Sequence, residues 1–291
     1  NDLSGFGRCS LTAAISVISA MGIQACPLPT AILTAQTGYP HYYLDDYTDK
    51  MDIYRQEWQK MGQHFDGIYT GFVASEAQID QIFHFIDTFY TSDTFLLVDP
   101  VMGDDGIKYD MFTPELLRKM KLLVNEADII TPNLTELCLL TDADYDAIID
   151  IADTRILIDV IGELASTLLP PDSDNSNTLD SGQTSKKEKE IIVTGIHCKN
   201  EHGQKMMGNL YVSKDTRKLF AFPHVGGSYS GTGDLFASCI AAGKCRGDGI
   251  PELIQLAGTF LEQAIKDSAE ENIPYPDGTN YEKYLYMLIK K

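Results

Sequence analysis

The sequence predicts an α/β fold, a mainly parallel central sheet with helices on both faces. Short, wholly apolar runs within residues 94–98, 129–130 and 191–194 suit strands buried on both faces. Stretches of helical period alternate with such runs along the chain, the pattern of a layered α/β protein. At 291 residues the chain is long enough for one large core, so a single domain over 1–291 is expected.

The elements follow in order. Leu11, Ala14, Ile15, Ile18 and Met21 share one helical face near the start. Residues 30–34 read as a strand, and 67–70 as another, stopped by Gly71. Ser75 and Gln78 form a capping-box pair ahead of Ile79, Ile82, Phe83, Ile86 and Phe89, an amphipathic helix. Thr113 is the expected N-cap of the next helix, with Pro114 at its first position. Residues 170–189 hold Pro, Ser, Asp, Asn and a Lys/Glu run with little to bury, and a mobile surface insertion is expected there. Asn1 opens at a loop with no apolar strand ahead of it, so the native start is expected to be missing.

Charge and cysteine usage narrow the function. A net charge of −19 repels phosphate backbones, which argues against a nucleic-acid partner. Any polyanionic ligand must then be met by local devices: a metal ion, backbone amides or helix N-termini. The six cysteines form no CxxC pair and no tight cluster, as expected of free thiols in a reducing cytoplasm. Residues 9–44 lack Asp, Glu, Lys and Arg, but Gly22, Gln24, Pro27 and Pro29 interrupt them. No run reaches the roughly 20 apolar residues of a membrane span. No basic segment precedes this stretch either, so a signal peptide is not expected. The six histidines show no ligand spacing, and Trp58 reads as a packing residue.

Chemistry concentrates in three places. Gly226-Gly-Ser-Tyr-Ser-Gly-Thr-Gly-Asp234 runs straight into a helix of small and apolar residues. The amides of Gly231, Thr232 and Gly233 can turn toward one point, where the helix dipole favours an anion. Asp234, at the helix start, is placed to take a proton from a hydroxyl entering that point. The second place is acidic. Asp99 ends one strand in Asp99-Pro-Val-Met-Gly-Asp104, and Thr131-Pro-Asn133-Leu-Thr-Glu136 follows another. Ligands of open α/β sheets gather at such strand ends, so Asp99, Asp104, Asn133 and Glu136 are candidates for Mg²⁺ beside ATP phosphates. The third is the loop 1–7, with Asp2 and Ser4 as polar contacts for a small substrate, near a strand end offering Thr37.

These motifs resemble the ribokinase superfamily and, within it, the pyridoxal kinase branch. Gly231-Thr-Gly-Asp234 looks like that family's anion hole and catalytic base. Asp99-Pro-Val-Met-Gly-Asp104, Thr131-Pro-Asn-Leu-Thr-Glu136, Thr37-Gly-Tyr39 and Thr70-Gly71 look like the narrower branch. The resemblance implies a three-layer sandwich and phosphoryl transfer from ATP to the hydroxymethyl group of pyridoxal, pyridoxine or pyridoxamine. It implies Asp104, Tyr109, Thr131, Asn133, Glu136 and Thr194 around the nucleotide, with Tyr109 covering the phosphates. Asp99, Asp104 and Glu136 would serve the metal, and Asp2, Ser4, Thr37 and Phe72 the substrate ring. Mg²⁺, often K⁺, and a homodimer are implied as well. Gln36 stands where a His commonly precedes Thr-Gly-Tyr, and Phe72 where a Tyr is common. The short loop Asp2-Leu-Ser-Gly-Phe-Gly and Ala35-Gln36 lean toward hydroxymethylpyrimidine kinases, the alternative of the same chemistry. The alternative of another class is a ligand-binding protein that kept the fold without turnover.

Overall fold

The structure, a computed structural model, describes residues 1–171 and 187–290. Most of the insertion expected at 170–189 therefore lies outside the described residues.

Loop 1–7 contains a short strand, β1 (Leu3–Ser4), which leads into helix α1 (Ser10–Ala20). Strands β2 (Ala31–Leu33) and β3 (Leu44–Asp46) complete a small sheet, β1 parallel to β2 and β3 antiparallel. Then follow α2 (Thr48–Lys60), β4 (Gly67–Thr70), α3 (Glu76–Phe89) and β5 (Phe95–Val98). A hairpin, β6 (Gly103–Asp104) and β7 (Ile107–Lys108), precedes α4 (Pro114–Glu126) and β8 (Ile129–Ile130). Three helices come next: α5 (Leu134–Thr141), α6 (Tyr145–Ile149) and α7 (Thr154–Ser166). The chain finishes with β9 (Glu190–Lys199), β10 (Lys205–Val212), β11 (Arg217–Pro223), α8 (Thr232–Cys245) and α9 (Ile250–Glu270). Two 3₁₀ segments, Tyr275–Asp277 and Tyr281–Leu288, follow α9.

Among the described residues the main sheet is six-stranded, ordered β11-β10-β9-β8-β5-β4. The pairs from β4 through β9 are parallel, while β10 and β11 add an antiparallel edge. Alternate residues of one strand enter different cores, which is why the strands read as wholly apolar. Leu96 and Val98 pack with Ile79, Leu123 and Leu137 on the face covered by α3, α4 and α5. Phe95 and Leu97 pack with Val17, Leu235 and Phe260 on the face covered by α1, α8 and α9. Each such side chain, fully buried, contributes about 1.5–3 kcal/mol. The result is a three-layer αβα sandwich, as expected.

Three local expectations change. The buried face of α1 is Leu11, Ala13, Ala14, Val17 and Met21, whereas Ile15 and Ile18 are half-buried. Its inward side is set by the close approach of small-residue α8. Residues 191–194 belong to a ten-residue strand, because β10 pairs with both of its halves across one register shift. Ser75 does cap α3, but Gln78 turns its carbonyl to Ala74 N–H and its amide to Thr30 O, bridging to the small sheet. Thr113 and Pro114 start α4 as expected. Trp58 packs among Tyr54, Phe65 and Phe85. All six cysteines are free, and no helix among the described residues is long and apolar enough to cross a membrane.

Candidate active site

The parallel strands all finish at one edge of the sheet. There Asp99 follows β5, Thr131 follows β8 and Thr194 lies in β9, linked by Asp99 N–H to Thr70 O and Thr194 N–H to Pro132 O, each 2.9 Å. The N-terminus of α8 points to the same edge.

Gly231 caps α8 in the left-handed region, at φ +85°. A β-carbon there would come within 2.1 Å of Arg8 O, so only glycine permits the loop 7–9 and the glycine loop to touch. The amides of Thr232, Gly233 and Asp234 open the helix and have no carbonyl four residues back within it. Thr232 and Gly233 reach the surface. Asp234 is half-buried, and its Oδ2 accepts the Ser10 N–H at 2.8 Å. Ser10 itself sits at φ +50°, an uncommon conformation for a non-glycine residue that aims its amide at the carboxylate. Burial pushes the Asp234 carboxyl up to about 6; the Ser10 amide works against that and the charge of Asp2 adds to it.

Asp99 lies behind this helix start, its Oδ2 facing Gly233. Asp99 is buried and accepts the Thr131 hydroxyl at 2.9 Å. Burial, and then the charge of Asp234, push it up to about 7. Glu136 is also buried, and burial followed by Asp99 holds it well above the usual carboxylate range. Its two oxygens accept Met102 N–H at 3.0 Å and Asn133 N–H at 2.8 Å. The second bond is half of a capping box, since Glu136 N–H donates back to Asn133 Oδ1 at 2.9 Å. Asn133 Nδ2 donates to Gly103 O at 2.8 Å, so its side chain is committed at both ends and braces the hairpin. Asp105 and Gly106, both with positive φ, make the tight turn of that hairpin. It carries Asp104, whose carboxyl is raised by partial desolvation and then by the charge of Asp105. Among the described residues, no three acidic, His or Cys side chains converge tightly enough to hold a metal alone.

On the other side, Asp2 Oδ2 accepts the Ser4 hydroxyl at 2.7 Å, both residues being buried, and Asp2 lies within electrostatic reach of Asp234. Thr37 is exposed and Phe72 half-buried. Gln36 is buried rather than outward-facing: its carbonyl takes Gly38 N–H and its amide reaches Pro276 O. Tyr109 is 39 % exposed, with burial and then Asp104, Glu136, Tyr275 and Asp234 raising its hydroxyl. Sequence patterns missed Ser10, Met102 and the segment around Tyr275, because each acts through a contact distant in sequence.

An α/β sandwich with a glycine-capped helix start, a carboxylate at that start and acidic residues at neighbouring strand ends defines a ribokinase-like protein. The chain belongs to the phosphomethylpyrimidine kinase family, whose model matches residues 7–275. A Bacteroides thetaiotaomicron protein assigned as a phosphomethylpyrimidine kinase, in a crystal form with pyridoxal, is 34 % identical over 99 % of this chain and 93 % of that one, with a TM-score of 0.83. Pyridoxal kinase from Lactobacillus plantarum is 25 % identical over 99 % of this chain and 94 % of its own, with a TM-score of 0.79. A Schizosaccharomyces pombe protein assigned as a pyridoxal kinase is 28 % identical over 194 residues. That match takes in 66 % of this chain and spans half of the length of the yeast protein.

Proposed function

We propose that this chain is an ATP-dependent kinase that phosphorylates the 5′-hydroxymethyl group of pyridoxal or its close relatives pyridoxine and pyridoxamine. The observation that carries the reading is Asp234, a half-buried carboxylate pushed up to about 6, set beside the open amides of a helix start. A general base of that strength is largely ionised at neutral pH yet still accepts a proton readily. The glycine loop answers the other need, since its amides and the helix dipole meet the charge that develops on a transferring phosphoryl group.

The ring alcohol would lie among Asp2, Ser4, Thr37 and Phe72, its hydroxyl directed at Asp234. The nucleotide would lie along the strand ends near Asp104, Tyr109, Thr131, Asn133, Glu136 and Thr194. Mg²⁺ fits the donor set as a shared ion, because Asp99 and Glu136 are buried acids whose ionisation needs a nearby cation. With no tight three-residue cage, Asp99, Asp104 and Glu136 would hold it through water and the phosphates, the usual manner of Mg²⁺. Bound there, it would offset phosphate charge during transfer. K⁺ and a homodimer follow from the resemblance, a cytoplasmic setting from the cysteine usage, and all three belong to the same proposal.

Support for the substrate comes from relatives: the Bacteroides protein has a crystal form with pyridoxal, and the Lactobacillus protein is a pyridoxal kinase. The family description favours a second reading, a hydroxymethylpyrimidine kinase, with identical phosphoryl chemistry. Comparing kcat/KM for pyridoxal, pyridoxine, pyridoxamine and hydroxymethylpyrimidine separates the two. A clear preference for a B6 vitamer is expected. Preference for the pyrimidine would move the protein to the second reading, and ATP binding without transfer to any ring would make it a binding protein.

A further inference from the structure

Residues 274–278 belong to none of the motifs above, yet they tie together three loops of the site. Ser230 N–H donates to Tyr275 O at 3.1 Å, joining them to the glycine loop. Arg8 N–H donates to Asp277 O at 3.2 Å, joining them to the loop ahead of α1. Gln36 Nε2 donates to Pro276 O at 3.0 Å, and the Tyr39 hydroxyl donates to the Asp277 carboxylate, joining them to the loop after β2.

The side chains here do not turn inward. Tyr275 is half exposed, as is Phe6, whose ring meets Tyr39 edge-on at 5.4 Å. The Tyr275 hydroxyl lies within electrostatic reach of Asp104 and Asp105 on the hairpin and of Cys9 beside Ser10. Tyr275 therefore stands between the acidic strand ends and the helix start that carries Asp234. The paired rings of Phe6 and Tyr39 offer an aromatic surface that suits a flat ring with a polar edge.

We infer that residues 274–278 form the third wall of the acceptor side, and that Asp277, through its bond to Tyr39, is a positioning residue for the ring alcohol. This rests on the kinase reading and adds to it the residues that place the acceptor. Transfer requires the acceptor hydroxyl within hydrogen-bond reach of Asp234, and small misplacements are costly. The Tyr39–Asp277 and Gln36–Pro276 bonds fix the loop carrying Thr37 relative to the loop carrying Asp234. The nucleotide side draws on β5, β8 and the hairpin, none of which the Tyr39–Asp277 bond touches, so loosening that bond separates the two substrates.

The test compares Tyr39→Phe, Asp277→Ala, their combination, and Asp277→Asn, which keeps an acceptor oxygen. The readouts are KM for pyridoxal and for MgATP, the calorimetric Kd for pyridoxal without nucleotide, and Tm. Tyr39→Phe and Asp277→Ala should each raise acceptor KM and Kd about tenfold, the scale of one hydrogen bond to a charged group. KM for MgATP should stay unchanged, the double variant should be no worse than the worse single, and Asp277→Asn should recover most of the affinity. Unchanged acceptor KM and Kd would overturn the inference. So would an equal rise in both KM values with a lowered Tm, the mark of general loosening. A wild type that turns over no ring alcohol sinks the kinase reading alone. The Kd comparison then still decides: weaker binding in the variants supports the wall, and equal binding, or none in the wild type, overturns it.

Discussion

Asp234 and Asp99 show how two neighbouring carboxylates can be set apart by their surroundings. Asp234 is open to the site and takes one backbone amide, whereas Asp99 is buried and takes a hydroxyl. Replacing Asp234 with Asn keeps its size and removes the base, so kcat should fall about 10²- to 10⁴-fold with the fold intact by circular dichroism. The ionised form is the active one, so kcat/KM should fall as pH drops through about 6. Asp2 raises the Asp234 carboxyl, so Asp2→Asn should move that acid limb to lower pH, measured from pH–rate profiles. Asp99 carries a stability consequence of definite sign. Its pKa is raised in the folded state, so its contribution is fully present only below the ordinary carboxylate pKa, falls above it, and is lost once pH has risen through about 7. Asp99→Asn should therefore stabilise the protein above that pH by roughly 1–3 kcal/mol and gain little near the ordinary carboxylate pKa, read from Tm across pH.

At the scale of elements, each part of the site is a terminus: a strand end, a helix start or a tight turn. Glu136 illustrates the economy, since one side chain caps α5 and holds Met102 in the loop before the hairpin. Glu136→Gln leaves one of those amides facing an NH₂ group, and should cost about 1–3 kcal/mol by denaturant unfolding. Gly231→Ala adds a methyl into Arg8 O at a positive φ, and should depress both Tm and activity. The elements most legible in the sequence were those whose signal is local. Strands β5 and β8 read clearly because burial on both faces leaves an unbroken apolar run. Thr113-Pro114 read clearly because a cap and its helix are adjacent. The β10–β11 edge did not, since Gly208 and Asn209 interrupt the apolar run of β10, and β11 alternates buried with exposed residues such as Lys218. The face of α1 was misread because a helix pressed between α8 and the small sheet has more than one apolar side.

For the molecule as a whole, contiguous motifs supply most of the candidate site. Residues 226–234, 99–104 and 131–136 each carry their chemistry in one stretch, and the parallel sheet brings the stretches to one edge. What the sequence left hidden were contacts between distant segments. The Tyr39–Asp277 bond joins residues 238 positions apart, and Ser10 reaches Asp234 across 224, so no spacing rule could pair them. The net charge of −19 belongs to this scale too. It repels a phosphate-bearing substrate at long range, and salt screens that repulsion within roughly 10 Å at 0.1 M.

ADP release from MgATP in the presence of pyridoxal, for the wild type and Asp234→Asn, tests the central claim most directly. Steady turnover in the wild type, formation of the 5′-phosphate, and near-complete loss of rate in the variant while MgATP still binds are expected. Equal turnover by the two proteins would show that Asp234 is not the base, and the proposed mechanism would fall.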